Sequence, residues 1–196
     1  MLRIALLTIA GTLALGPATA QSLPPAISSY APPAQGSLAS GWEARLGLGA
    51  TNAFGGRERG LLSFGGEILT PRPFAFEDRI AQALVPRFHI GTTATVNGTN
   101  YAYAGATWTF DLSQSVFLEA SLGAALNDGQ TGPIVPQNRL NVGCNAGGRA
   151  AGGLGVRLSD RWSLVATMEH FSTTGCPDQD RPRGPSNFGA RLGYSF

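Results

Sequence analysis

Between Gly41 and Phe196 the sequence repeatedly alternates an apolar residue with a glycine, a hydroxyl or a charge. A period of two is what a β-strand with unlike faces requires, because successive Cβ atoms point to opposite sides. Trp42, Ala44, Leu46 and Leu48 share one face, with Glu43, Arg45, Gly47 and Gly49 behind. Leu62, Phe64 and Ile68 oppose Ser63, Gly65 and Glu67, and Leu84, Phe88 and Ile90 oppose Arg87, His89 and Gly91. Ala102, Ala104, Ala106, Trp108 and Phe110 make a fourth apolar face, and Val116, Leu118, Ala120 and Leu122 make a fifth against Phe117, Glu119 and Ser121. Ala150, Leu154, Val156 and Leu158 oppose Arg149, Gly153 and Arg157, while Trp162, Leu164, Ala166 and Met168 oppose Ser163, Thr167 and Glu169. The last segment sets Phe188, Ala190, Leu192, Tyr194 and Phe196 against Asn187, Gly189, Arg191, Gly193 and Ser195.

The polar faces together hold Glu43, Glu67, Glu119 and Glu169 with Arg45, Arg87, Arg149, Arg157 and Arg191, a nearly balanced set that an ordinary core would not tolerate. Eight strands closed into a barrel enclose just enough room for such side chains, and their apolar faces then meet lipid. A soluble β-sandwich alternates too, but turns its apolar faces inward and its polar faces to water. Against it stand the absence of any lysine and a secretory leader at the N-terminus. The final strand also ends in Phe196, which resembles the assembly signal of outer-membrane barrels. The expected fold is therefore all-β, an eight-stranded antiparallel transmembrane up-and-down β-barrel.

Residues 1–20 read as a signal peptide: Arg3 precedes an apolar run from Ile4 to Leu15, which is too short to span a bilayer as a helix, and Ala18-Thr19-Ala20 supplies a small-residue cleavage site. Residues 21–40, with Pro24-Pro25 and Pro32-Pro33 among Ser, Ala and Gln, read as an extended lead, and residues 41–196 as the barrel. Losing Arg3 takes the formal charge from +2 to +1, which gives no basic stripe and excludes nucleic acid as the expected partner. The links 111–114 and 159–161 are short, as periplasmic turns are, and 125–146 and 173–185 are long, as outer loops are. Cys144 and Cys176 both fall in the long loops, and in an oxidising compartment an even count favours one disulfide, with free thiols as the alternative. Residues 70–83 are too long for a periplasmic turn, and Phe74-Ala75-Phe76-Glu77-Asp78 reads as a short helix or an interfacial segment.

Chemistry concentrates at Met168-Glu169-His170-Phe171-Ser172, just before a long loop. By parity His170 and Ser172 continue the lipid face, where an imidazole two residues from a hydroxyl supplies a base beside a nucleophile. Two polar residues at a wet membrane interface are the bland alternative. The stretch from Trp162-Ser163-Leu164 to Ser172 resembles the PagL-type lipid A 3-O-deacylases and their acyloxyacyl-hydrolase relatives. So do Tyr101-Ala102-Tyr103-Ala104-Gly105 with Trp108-Thr109-Phe110, Phe117 to Gly123, and Asn187-Phe188-Gly189 through Phe196.

That resemblance implies an outer-membrane esterase with lipid A of lipopolysaccharide as substrate, an outward-facing Ser/His/acid triad, Ser172 as nucleophile and His170 as base. Two positions depart from the family pattern: Thr173 follows the serine in place of asparagine, and Ser186 stands where the family has its acid. Glu169 points by parity into the lumen, so Asp178 and Asp180 in the following loop are the nearby carboxylates, Asp180 lying nearer the last strand. A catalytically degenerate barrel with a structural or adhesive role is the competing reading. His89 reads as a hydrogen-bonded interior residue, Asn97-Gly98 as a hairpin turn, and the Gly147-Gly148 and Gly152-Gly153 pairs as barrel wall. No spacing resembles a metal or cofactor site.

Overall fold

The computed structural model describes residues 41–52, 58–132, 134, 140–172 and 184–196. The proposed leader and lead segment, together with Cys176, Asp178 and Asp180, lie outside the described residues. Eight strands run β1 (Glu43–Thr51), β2 (Leu62–Leu69), β3 (Arg87–Thr95), β4 (Tyr101–Asp111), β5 (Val116–Asn127), β6 (Ala146–Arg157), β7 (Trp162–Ser172) and β8 (Ser186–Ser195), with one helix, α1 (Arg79–Leu84), between β2 and β3. Each strand pairs antiparallel with its sequence neighbours, and β8 returns to β1, so the sheet is a closed barrel with no free edge.

The alternation sorts the side chains as the period of two requires. Leu46 and Ile90 are 75% and 65% exposed, and Leu48, Leu122, Leu126, Met168 and Leu192 are exposed beside them. An apolar wall of that extent is incompatible with water on all sides and suits acyl chains. At the end that carries the short links, Trp162 and Tyr194 pack with ring centroids 4.8 Å apart and Tyr194 stacks with Phe196 at 6.5 Å, an aromatic girdle where apolar wall meets polar surroundings.

Glu43, Arg45, Glu67, Arg87, Glu119, Arg149, Glu169 and Arg191 are all buried inside. They form two linked groups. In one, Glu43 accepts from Arg45 Nε at 2.8 Å and from Arg87 Nη1 at 2.6 Å, and Arg45 grips Glu119 bidentately at 2.6 and 2.7 Å. In the other, Arg191 bridges Glu67 at 2.6 Å and Glu169 at 2.7 Å, and Arg149 holds Glu169 at 2.7 and 3.0 Å. The Arg45–Glu119 pair joins β1 to β5, opposite walls of an eight-stranded ring, so the charges strut the barrel as well as line it. Arg157 pairs with Asp111 near the short-link end. His89 is interior as expected, with Thr107 Oγ1 2.9 Å from Nδ1 and Tyr103 edge-on at 5.8 Å.

One element departs from the strand pattern. Leu84 shares the parity of Phe88 and Ile90 but ends α1, because Val85 precedes Pro86 and is thereby confined to extended backbone, with φ −77° and ψ 113°. At the opposite end Asn97 has φ 56° in the short β3–β4 turn, as an Asn-Gly hairpin needs. There too Glu58, in the β1–β2 loop, is buried, and its carboxylate accepts from Thr99 N at 3.0 Å, Thr99 Oγ1 at 3.1 Å and Leu140 N at 3.1 Å. One carboxylate therefore holds three loops of the long-loop end together.

Removing one member of a buried ion group leaves the others charged and unmatched, at a cost of about 3–5 kcal/mol. Glu169→Ala, which strips both Arg149 and Arg191 of a partner, is expected to destabilise the barrel by that amount. Urea unfolding in phospholipid bilayers checks it, and stability equal to the unmutated chain contradicts the strut role.

Candidate active site on the lipid-facing wall

Parity in β7 is fixed by what points inward. Glu169 is held by Arg149 and Arg191, and Phe171, 1% exposed, stacks on Tyr101 at 4.0 Å between ring centroids. Tyr103 lies beside Phe171 at 6.2 Å and carries the Arg149 guanidinium 4.0 Å above its ring. With Glu169 and Phe171 pegged inside, His170 and Ser172 between and beyond them must face out. His170 is exposed and Ser172 half-buried at the long-loop end of the strand.

On the outer wall His170 pairs across β8 with Ser186, and its Nδ1 is 2.9 Å from Ser186 Oγ. Ser186 is itself pinned at the seam of the barrel. Its N–H donates to Asn52 Oδ1 at 2.9 Å, and Asn52 N–H donates to its carbonyl at 2.6 Å. Asn52 has φ 45°, a left-handed conformation that asparagine tolerates better than most residues, and it turns the chain out of β1 toward Ser186. When Nδ1 of the imidazole carries the proton, its N–H donates a hydrogen bond to Ser186 Oγ and Nε2 keeps its lone pair.

Ser172 pairs with Gly148, Gly148 with Ala124, and Ala124 with Ala104, so the wall beside the hydroxyl is paved with small side chains across β6, β5 and β4.

Of the residues singled out from sequence, the structure brings His170 and Ser186 into contact and sets Ser172 on the same face. Glu169 is turned away into the lumen, as parity required, and Asp180 lies outside the described residues. Sequence reasoning missed Asn52 and the Phe171–Tyr101 stack. Asn52 meets Ser186 only because β8 closes on β1, and no local pattern signals a partner 134 residues away.

Residues 22–196 match the outer membrane protein beta-barrel domain. The chain belongs to that family. It is a protein of the bacterial outer membrane, so the long-loop end is the outer one and α1 lies at the periplasmic end. Among solved structures it is similar to the outer membrane enzyme PagL, at 15% identity and a TM-score of 0.59, covering 79% of this chain and 99% of that one. It is similar also to a de novo designed transmembrane β-barrel, at 10% identity and a TM-score of 0.51 over 80% of this chain and 96% of that one. A third is the N-terminal β-barrel domain of Pseudomonas aeruginosa OprF, at 13% identity and a TM-score of 0.50 over 80% of this chain and 98% of that one. Identities this low speak for the fold alone. No curated protein matches the chain.

The chain has two histidines, so the imidazole of His170 can be isolated spectroscopically in a His89→Gln background. Ser186→Ala is expected to change the 15N shifts of the His170 ring by releasing Nδ1. Spectra that superimpose with and without the Ser186 hydroxyl would show that the contact does not set the tautomer.

Proposed function

We propose that the protein is an outer-membrane esterase that hydrolyses a fatty-acyl ester of lipid A, at the 3-O position, through Ser172 and His170. The observation that carries the reading is the His170 Nδ1 to Ser186 Oγ hydrogen bond on the lipid face of the outer rim, with Ser172 two residues along. A hydrogen-bonded imidazole beside a hydroxyl is the minimum for nucleophilic acyl transfer, and the outer rim is where lipid A presents its ester carbonyls. The small-residue pavement beside Ser172 leaves an acyl chain free to lie against the wall.

In this mechanism Ser172 Oγ attacks the ester carbonyl while His170 Nε2 takes its proton. The tetrahedral intermediate collapses, the proton passes to the departing 3-hydroxyl of the sugar, and an acyl-serine remains. Water, deprotonated by the same nitrogen, attacks that acyl group. The fatty acid leaves and the serine is restored. Ser186 occupies the place of the family acid and orients the ring, but a neutral hydroxyl cannot stabilise the imidazolium as a carboxylate does. Asp180 is the proposed candidate for that charge, since it belongs to the loop returning from β7 to β8.

Ser172→Ala and His170→Ala are each expected to lower turnover on purified lipid A by on the order of 10⁴-fold while the barrel stays folded. Mass spectrometry of lipid A from expressing cells reads the same loss. Full activity in Ser172→Ala removes the assignment of the nucleophile. Ser186→Glu is expected to raise turnover, and Asp180→Asn to lower it if Asp180 supplies the charge.

A structural or adhesive role is the second reading, favoured by the hydroxyl that stands where the family has a carboxylate. An unchanged lipid A profile with the barrel correctly inserted supports it. We propose further that Cys144 and Cys176 are bridged, tying the β5–β6 loop to the β7–β8 loop. Peptide mapping without reduction should recover the two as one linked peptide, and two free thiols would refute the bridge.

A further inference from the structure

The β4–β5 and β6–β7 links turn within a few residues, but the β2–β3 link at the same periplasmic end runs from Thr70 to Pro86 and folds on itself. Its base is fastened to the barrel: Arg87 Nε donates to the Thr70 carbonyl at 2.8 Å, Phe88 N–H to Thr70 Oγ1 at 3.1 Å, and Arg72 Nη2 to the Thr109 carbonyl at 3.1 Å. Its tip is fastened to itself. Asp78 caps α1 by accepting from Ala81 N at 2.7 Å, and Phe76 N–H donates to Gln82 Oε1 at 2.6 Å.

Apart from Val85 at its end, this segment leaves its large apolar side chains uncovered. Phe74, Phe76, Ile80 and Leu84 are 67%, 49%, 73% and 62% exposed, and no residue of α1 is buried. The position of the helix says what covers them. Trp108 Nε1 donates to the Leu84 carbonyl at 3.1 Å, and Trp108 lies on the lipid-facing side of β4, between the inward Thr107 and Thr109. The helix therefore rests on the outside of the wall and does not plug the lumen. Ile80 and Leu84, four residues apart, share one helical face, and the wall residues Phe88 and Phe110 at the same end of the barrel are exposed too. Trp108 itself stands where apolar wall gives way to polar end, the depth that indole prefers.

We propose that residues 71–85 are an interfacial anchor, with Phe74, Phe76 and Ile80 inserted at the boundary between headgroups and acyl chains of the periplasmic phospholipid leaflet on the β3–β4 side of the barrel. The occupant is the leaflet because α1 is fastened to the lipid-facing wall at Trp108, so its exposed apolar residues lie beside the surface that faces lipid. A second copy of the chain or a soluble periplasmic partner would have to displace lipid from that surface. The anchor owes nothing to the esterase reading. β3 and β4 lie across the ring from β7 and β8, and α1 is at the end of the barrel opposite His170.

Site-directed spin labelling tests it in bilayers of phosphatidylethanolamine and phosphatidylglycerol. Nitroxides are placed at Phe76→Cys and Ile80→Cys in a Cys144→Ser, Cys176→Ser background, with Leu118→Cys as the lipid-wall reference and Ser113→Cys as the aqueous reference. The ratio of collision with oxygen to collision with a water-soluble nickel chelate should be several-fold higher at 76 and 80 than at 113, and close to that at 118. A ratio at 76 and 80 equal to that at 113 overturns the proposal, because the segment then lies in water. Low collision with both reagents also overturns it, because protein then covers the face. Ile80→Trp, with both cysteines kept, gives an independent reading. Phospholipids brominated near the headgroup should quench its added emission, and added emission that they leave untouched refutes the anchor.

Discussion

A small barrel in lipid has an interior too narrow for bulk water and an exterior that rejects charge, so every ionised side chain must find its counter-ion inside. Here four glutamates and four arginines meet that demand, contributed by every strand but β4. The condition also fixes the register of the barrel. A slip of one residue would send Arg45, Arg149 or Arg191 to the lipid face, where an arginine at mid-bilayer costs about 2–4 kcal/mol. The neutral, cross-linked lumen thus specifies which side of every strand but β4 faces outward.

The candidate site inherits its geometry from that interior. The direction of His170 and Ser172 is set by Glu169 in the ion group and Phe171 in the aromatic stack. Putting the pegs inside leaves the outer surface of β7 to face the bilayer. It also separates stability from chemistry, since the residues that hold β7 in place are not those that would touch an ester.

The fold was legible because its signal is repetitive. Segment after segment alternates, and the inward charged set sums nearly to zero. The same parity alone directs Glu169 inward, and the structure agrees. Parity gave a wrong answer only for Leu84, where the residue before a proline ends a helix that happens to be in phase with the following strand. What the sequence did not reveal depends on closure. Asn52 meets Ser186 across the β1–β8 seam, and Tyr101 meets Phe171 across the lumen, contacts that no local window contains. The segment between β2 and β3 was ambiguous for another reason. Its aromatics and acids fit a helix and an interface equally, and only the backbone tells that Asp78 is the cap and Arg79 the start.

The Glu58 carboxylate has a temporal consequence. Its donors Thr99 and Leu140 lie 41 and 82 residues further along the chain, on the turns that follow β3 and β5. A buried carboxylate is tolerable only once its donors have arrived. Contacts so distant in sequence form after the hairpins that bring them together. The part of the outer mouth that Glu58 ties together therefore sets only after the hairpins carrying Thr99 and Leu140 have formed.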